Sequence, residues 1–175
     1  MTVNIETGLE KVQVVMKTCI ENEICQDGLL EDVESFFTIF NDEDHVEEPV
    51  VWMYQHETRA GRQADISGTM DLTIPFQFNC SVYENELEDA NTSTQNLATR
   101  VILSILRNWQ TVQNTILPGK RLIKNITLET FYPLGTIQVN NKSERLPVIG
   151  VLLNVNVIIN WKLCCRELNQ NNQGE

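Results

Sequence analysis

Histidine, glycine, proline and long apolar runs are all scarce in this 175-residue chain, and each scarcity removes a class of function. Only His45 and His56 can serve as imidazole bases or metal ligands, and His45 falls in a run of carboxylates, where it reads as an ordinary exposed residue. The eight glycines are single and scattered, so neither a glycine-rich phosphate loop nor a nucleophile elbow is present, and paired metal ligands are missing too. Without a catalytic constellation the chain is read as a non-enzyme that carries no cofactor. No segment approaches the roughly 20 consecutive apolar residues of a membrane span. The opening peptide MTVNIETGLEKVQ has neither a basic start nor an apolar signal core, so a protein that stays in the cytoplasm, away from membranes, is expected.

Five cysteines are an odd count and a poor disulfide framework, so all are expected as free thiols in a reducing compartment. Cys19 and Cys25 stand six residues apart, and the adjacent Cys164 and Cys165 point to opposite faces of a strand, which gives no four-cysteine zinc geometry. The N-x-S/T triplets at Asn79, Asn91, Asn125 and Asn141 matter only in a secreted chain and read as chance. Asp42, Asp44, Glu47 and Glu48 lack the glycine and twelfth-position Glu of an EF-hand loop, so a solvated loop is the better reading. Trp52, Trp109 and Trp161 lie in apolar periodic patterns with few basic neighbours, which makes them core or interface anchors rather than base-stacking platforms.

What the chain does have is a lopsided charge. Residues 1–90 carry 4 Lys/Arg against 20 Asp/Glu, a net of −16, whereas residues 91–175 carry 9 against 4, a net of +5, for a total of −11. Such a split suits a solvated acidic face, or a subunit whose acidic side meets the basic side of the next copy or lines a passage that a polyanion traverses without sticking. Binding to nucleic acid through phosphates is not expected, because that requires a concentrated basic patch.

Apolar residues make up 42% of the chain, enough for one globular core. Ile5, Leu9, Val12, Met16, Cys19 and Ile20 recur at three- and four-residue spacing, which predicts an amphipathic helix from Asn4 to about Glu23, capped by Asn4 or by a Thr7/Glu10 box. Ser35–Phe40 reads as a strand or a short helix, 41–49 as an exposed acidic loop, and Val50–His56 as a strand. The polar connector 57–68 reads as a mobile arm or long hairpin. From Met70 to Tyr83 apolar and polar residues alternate for 14 positions, the mark of a half-buried strand about 46 Å long in which Pro75 signals a bend, bulge or edge. Leu97, Val101, Ile105 and Trp109 step by four, predicting a second helix over 87–109 with Asp89, Asn91, Thr92 or Ser93 as caps. Leu122–Tyr132 is the next strand, with Ile126 and Leu128 on one side, and Pro133–Pro147 a polar hairpin. Val148–Leu163 is the last strand, alternating Val151, Leu153, Val155, Val157 and Ile159 with amides. The expected fold is a single α+β domain over 1–167, an antiparallel-rich or mixed sheet of about four to five strands with two main helices packed on one face. Residues 168–175 have the composition of a disordered tail.

The IPFQFNCSVYENE strand leading through an acidic turn into the LATRVILSILRNW helix, then ITLETFYPLG and the closing PVIGVLLNVNVIINWK, resembles the tail terminator family of tailed bacteriophages across roughly residues 1–165. That resemblance implies a virion subunit at the head-proximal end of the tail, assembled in the host cytoplasm. There a homo-oligomeric, hexameric ring stops the tail tube and joins it to the head connector or stopper, and DNA passes through without specific binding. Arg59, Arg62, Gln63, Asp65, Lys142 and Arg145, on loops, are then expected to touch a neighbouring subunit or the tube, and Asp42, Glu43, Asp44, Glu47 and Glu48 to face the channel or an interface. The alternatives are another head-tail stopper or tail tube protein, or a module that binds a small ligand or peptide.

Overall fold

In the computed structural model residues 5–25, 27–38, 47–60, 69–138 and 145–160 are described. The first helix, α1, spans Ile5–Glu21, and its Val12, Val15, Met16, Cys19 and Ile20 are all fully buried. Three short strands follow: β1 (Ser35–Phe37), β2 (Val50–Gln55) and β3 (Arg59–Ala60). The segment left open between strand and helix is thus a strand at its start. After the long strand β4 (Thr69–Ser81) come α2 (Leu87–Ile116), β5 (Ile123–Gln138) and β6 (Arg145–Asn160). The expected tail at 168–175, the acidic loop at 41–46, the arm at 61–68 and Trp161 lie outside the described residues.

The sheet runs β1-β2-β4-β6-β5, with β3 also paired to β4. Only β1 and β2 are parallel; all other pairs are antiparallel, so this is the expected mixed sheet of an α+β fold. β2 and β3 lie along the same side of β4. Gln55 pairs with Phe76 and Arg59 with Thr73, so three residues on one strand stand opposite two on the other. The misfit falls at Pro75, which has no N–H to offer a partner, and the Pro75 carbonyl instead accepts from the His56 N–H at 2.9 Å. Pro75 thus stands where the pairing of β4 with β2 and β3 is interrupted, while its pairing with β6 runs on unbroken.

Both helices cover one face. α2 lies against β4 and β6, and α1 packs on α2. Into the layer between them β4 sends Ile74, Phe76, Phe78 and Cys80, and β6 sends Val151, Leu153, Val155 and Val157, all at 0–1% exposure. Among the described residues the opposite face carries a smaller apolar cluster of Val50, Trp52 and Leu146.

Several boundaries differ from those expected. α2 continues two turns past Trp109 to Ile116, because Val112 and Gln113 are also buried. Asp89, Asn91, Thr92 and Ser93 are not caps but lie inside this helix: Glu86 occupies the cap position without a side-chain bond, and the Thr92 hydroxyl donates back to the Glu88 carbonyl at 3.1 Å. The hairpin expected over Pro133–Pro147 is present as the antiparallel pairing of β5 with β6, but both strands run further into it than expected, Pro133 pairing with Ile149 and Thr136 with Pro147. Both prolines are tolerated for want of a competing partner: β5 is an edge strand, and β6 at Pro147 runs past its last residue paired to β4, Ile149.

Candidate functional site

Where α1 ends the chain turns tightly. Asp27 has φ 67°, and a Cβ on Gly28 would lie 2.2 Å from the Glu23 carbonyl oxygen, so glycine alone fits this approach. The turn delivers the buried Glu23 carboxylate to α2, where it accepts from the Leu29 N–H at 2.8 Å and from the Asn108 amide. The Leu29 bond above all, then Asn108 and the nearby positive Arg107, hold Glu23 below the ordinary carboxylate range despite its burial. About two turns back along α2, Arg100 grips Asp32 through two bonds of 2.6 and 2.8 Å and reaches the Leu29 carbonyl at 3.0 Å. That hydrogen-bonded pairing lowers Asp32 and raises Arg100.

These contacts fix an acidic end of the molecule. Asp32, Glu48 and Glu84 line one open cavity of about 450 Å³ with Pro49, Tyr83 and Arg100. The adjoining stretch Tyr83–Asp89, the β4–α2 connection together with the first turn of α2, adds Glu86, Glu88 and Asp89 without a cation. Glu47 is exposed, and its N–H donates to the Ser35 hydroxyl at 3.1 Å. Of the carboxylates expected at an interface or channel, the structure thus gathers Glu47 and Glu48 at this end; Asp42, Glu43 and Asp44 lie outside the described residues.

The opposite end of α2 is basic. Lys120 and Arg121 follow the helix and rim a cavity of about 360 Å³ with Trp109, Gln110, Gln113 and Asn114, and Lys124 lies 3.8 Å from Asp71. The buried Gln113 side chain accepts from the Leu122 and Ile123 N–H groups, which ties this flank of the helix to the start of β5.

The flank of α2 that Gln113 ties to β5, together with β5 itself, exposes three apolar side chains, an α2–β5 trough that the residue pattern did not reveal. Leu106 precedes Gln113 by one heptad and so shares its side of α2. On β5, Leu128 and Phe131 pair with the core-facing Leu153 and Val151, yet they lie beyond the cover of the helices. Leu106, Leu128 and Phe131 are 43%, 49% and 39% exposed. Strict alternation sets Leu128 and Phe131 on opposite faces; the irregularity between Leu128 and Thr130 brings them together.

Beside the small apolar cluster of Val50, Trp52 and Leu146, the sheet's uncovered face carries a row of hydroxyl and amide side chains. The Thr73 hydroxyl donates to Asn156 Oδ1 at 2.8 Å, whose Nδ2 donates to Asn125 Oδ1 at 2.7 Å. Gln77 Nε2 donates to Asn79 Oδ1 at 2.7 Å, and His56 Nε2 lies 2.8 Å from Gln77 Oε1. Burial raises the Tyr54 phenol beside them, against a hydrogen bond with Asn79.

No family model matches the chain, and no curated protein is significantly similar to it. Its surfaces have to speak for it. Arg59 and Arg145 were expected on loops, but both belong to strands, Arg59 paired with Thr73 and Arg145 with Gln138. Arg62, Gln63, Asp65 and Lys142 lie outside the described residues. Cys19 and Cys80 are buried and Cys25 is exposed; burial pushes the Cys19 thiol up to about 12 and the Cys80 thiol higher still, which leaves both inert as nucleophiles. Among the described residues no three His, Cys, Asp or Glu side chains converge as metal ligands, and no helix is long and apolar enough to cross a membrane.

Proposed function

We propose that this chain is a ring-forming structural subunit of a tailed bacteriophage. Like the tail terminators it resembles, it closes the head-proximal end of the tail tube and presents a platform to the head connector, with DNA passing through the hole. What supports this most is the separation of charge along α2. Carboxylates gather at its N-terminal end and lysine and arginine just beyond its C-terminal end, about 45 Å apart for a 30-residue helix. Unlike ends that far apart cannot satisfy each other within one copy. Head-to-tail contact between copies satisfies both, and such contacts close into rings when the rotation allows. The surplus of carboxylates, in turn, discourages phosphate from lodging on the assembly.

Negative-stain images and light scattering of the purified chain test this. A six-fold annulus of fixed mass is expected. Open polymers would instead indicate a tube protein, and a monomer that persists at high concentration would remove the proposal altogether.

A further inference from the structure

The trough beside β5 and the acidic β4–α2 connection are complementary in chemistry as well as in charge. The trough is apolar along Leu106, Leu128 and Phe131, and Gln113, on the same flank of α2 as Leu106, lines the cavity that Lys120 and Arg121 rim. The connection exposes two apolar side chains, Tyr83 at 37% and Leu87 at 61%, interspersed with Glu84, Glu86, Glu88 and Asp89. Leu87 begins α2 and is largely exposed, so burial within one copy does not explain a leucine there. On β5, bulges, Pro133 and the charges of Lys124 and Glu129 discourage unspecific strand pairing, so the trough rather than the strand edge offers the contact.

We infer that the Tyr83–Asp89 connection of one copy docks in the α2–β5 trough of the next, Leu87 and Tyr83 meeting Leu106, Leu128 and Phe131 while Glu86 and Glu88 face Lys120 and Arg121. This names the contact within the ring proposed above and rests on that proposal for its head-to-tail sense. Apolar anchors at the centre supply the affinity, and the charged rim fixes partner and register.

Two charge-reversed forms of the full chain test the contact. One carries Glu86→Lys with Glu88→Lys and the other Lys120→Glu with Arg121→Glu, and each is followed by light scattering with circular dichroism to verify folding. Alone, each form presents like charges at both ends and is expected to fall to monomer; mixed in equal amounts, the two present only unlike ends to each other and should recover the assembly. Leu87→Ser, at an exposed position, should leave the fold unchanged and raise the concentration for half-assembly about ten-fold. Should both reversed forms assemble as the unaltered chain does, or the mixture stay monomeric, the contact is wrong while the ring can stand. If the unaltered chain forms only a two-fold dimer that the reversals break and mixing restores, the contact holds and the ring falls. An unaltered chain that never associates overturns both.

Discussion

The two faces of β4 are built from the same strand and meet opposite fates. Ile74, Phe76, Phe78 and Cys80 are sealed under the helices at 0% exposure, while Thr73, Gln77 and Asn79, one residue out of step, remain half-buried and bonded to other side chains. Alternation decides which side chains share a face, but only the elements packed above decide which face becomes core. β5 makes the same point from the other direction. Its Leu128 and Phe131 lie on the core-facing side of the sheet and are still exposed, because neither helix covers this stretch of the edge strand.

The contrast is broken most severely by Phe78→Ala. Deleting a fully buried ring removes its transfer free energy and leaves a cavity that neighbours fill only in part, so unfolding in urea should show a loss of about 3–5 kcal/mol. A loss under about 1 kcal/mol would mean that the layer is fluid rather than close-packed.

A second variant probes the one charged group that the covered side admits among the described buried residues, Glu23. Its carboxylate holds the α1 exit to α2, and Glu23→Gln replaces charge-assisted bonds to Leu29 and Asn108 with neutral ones; about 1–3 kcal/mol should be lost at neutral pH. The pH dependence has a definite sign. Glu23 is held below its ordinary value of 4.5 in the fold, so its contribution is complete above that value and fades as the pH falls through the lower folded pKa. The difference in stability between the original chain and Glu23→Gln should therefore shrink below about pH 4.5. A difference that grows on acidification would contradict this placement of the charge.

How much of this was legible in the residues follows the same physics. Met70–Val82 and Val151–Ile159 alternate cleanly because their two faces meet different surroundings, and both strands were found with boundaries moved by a few residues. The end of α2 was hidden by Gln113, a polar residue in an apolar slot that is buried to serve the β5 backbone. β5 was legible as far as Tyr132, just short of its last irregularity at Pro133/Gly135, but the face of Phe131 was not, since each bulge resets the alternation. The acidic and basic halves were plain from composition, but their arrangement at the two ends of one helix was not, because it depends on the loop at 27–34 folding back to α2 through Arg100 and Asp32. The trough could not be read at all: it exists only because β5 pairs outside β6, a long-range choice that no local pattern records.

The smallest effect is expected on the uncovered face, and it sharpens the comparison most. Asn156→Val removes two hydrogen bonds, with Thr73 and Asn125, but Thr73 is half-buried and Asn125 exposed, so water can replace what each loses. A β-branched side chain suits the strand better than an amide, and these terms oppose each other. The change in stability should stay within about 1 kcal/mol in either direction. A loss of several kcal/mol would instead show that the amide row is a cooperative network, as demanding of its members as the aromatic row on the other side of the same sheet.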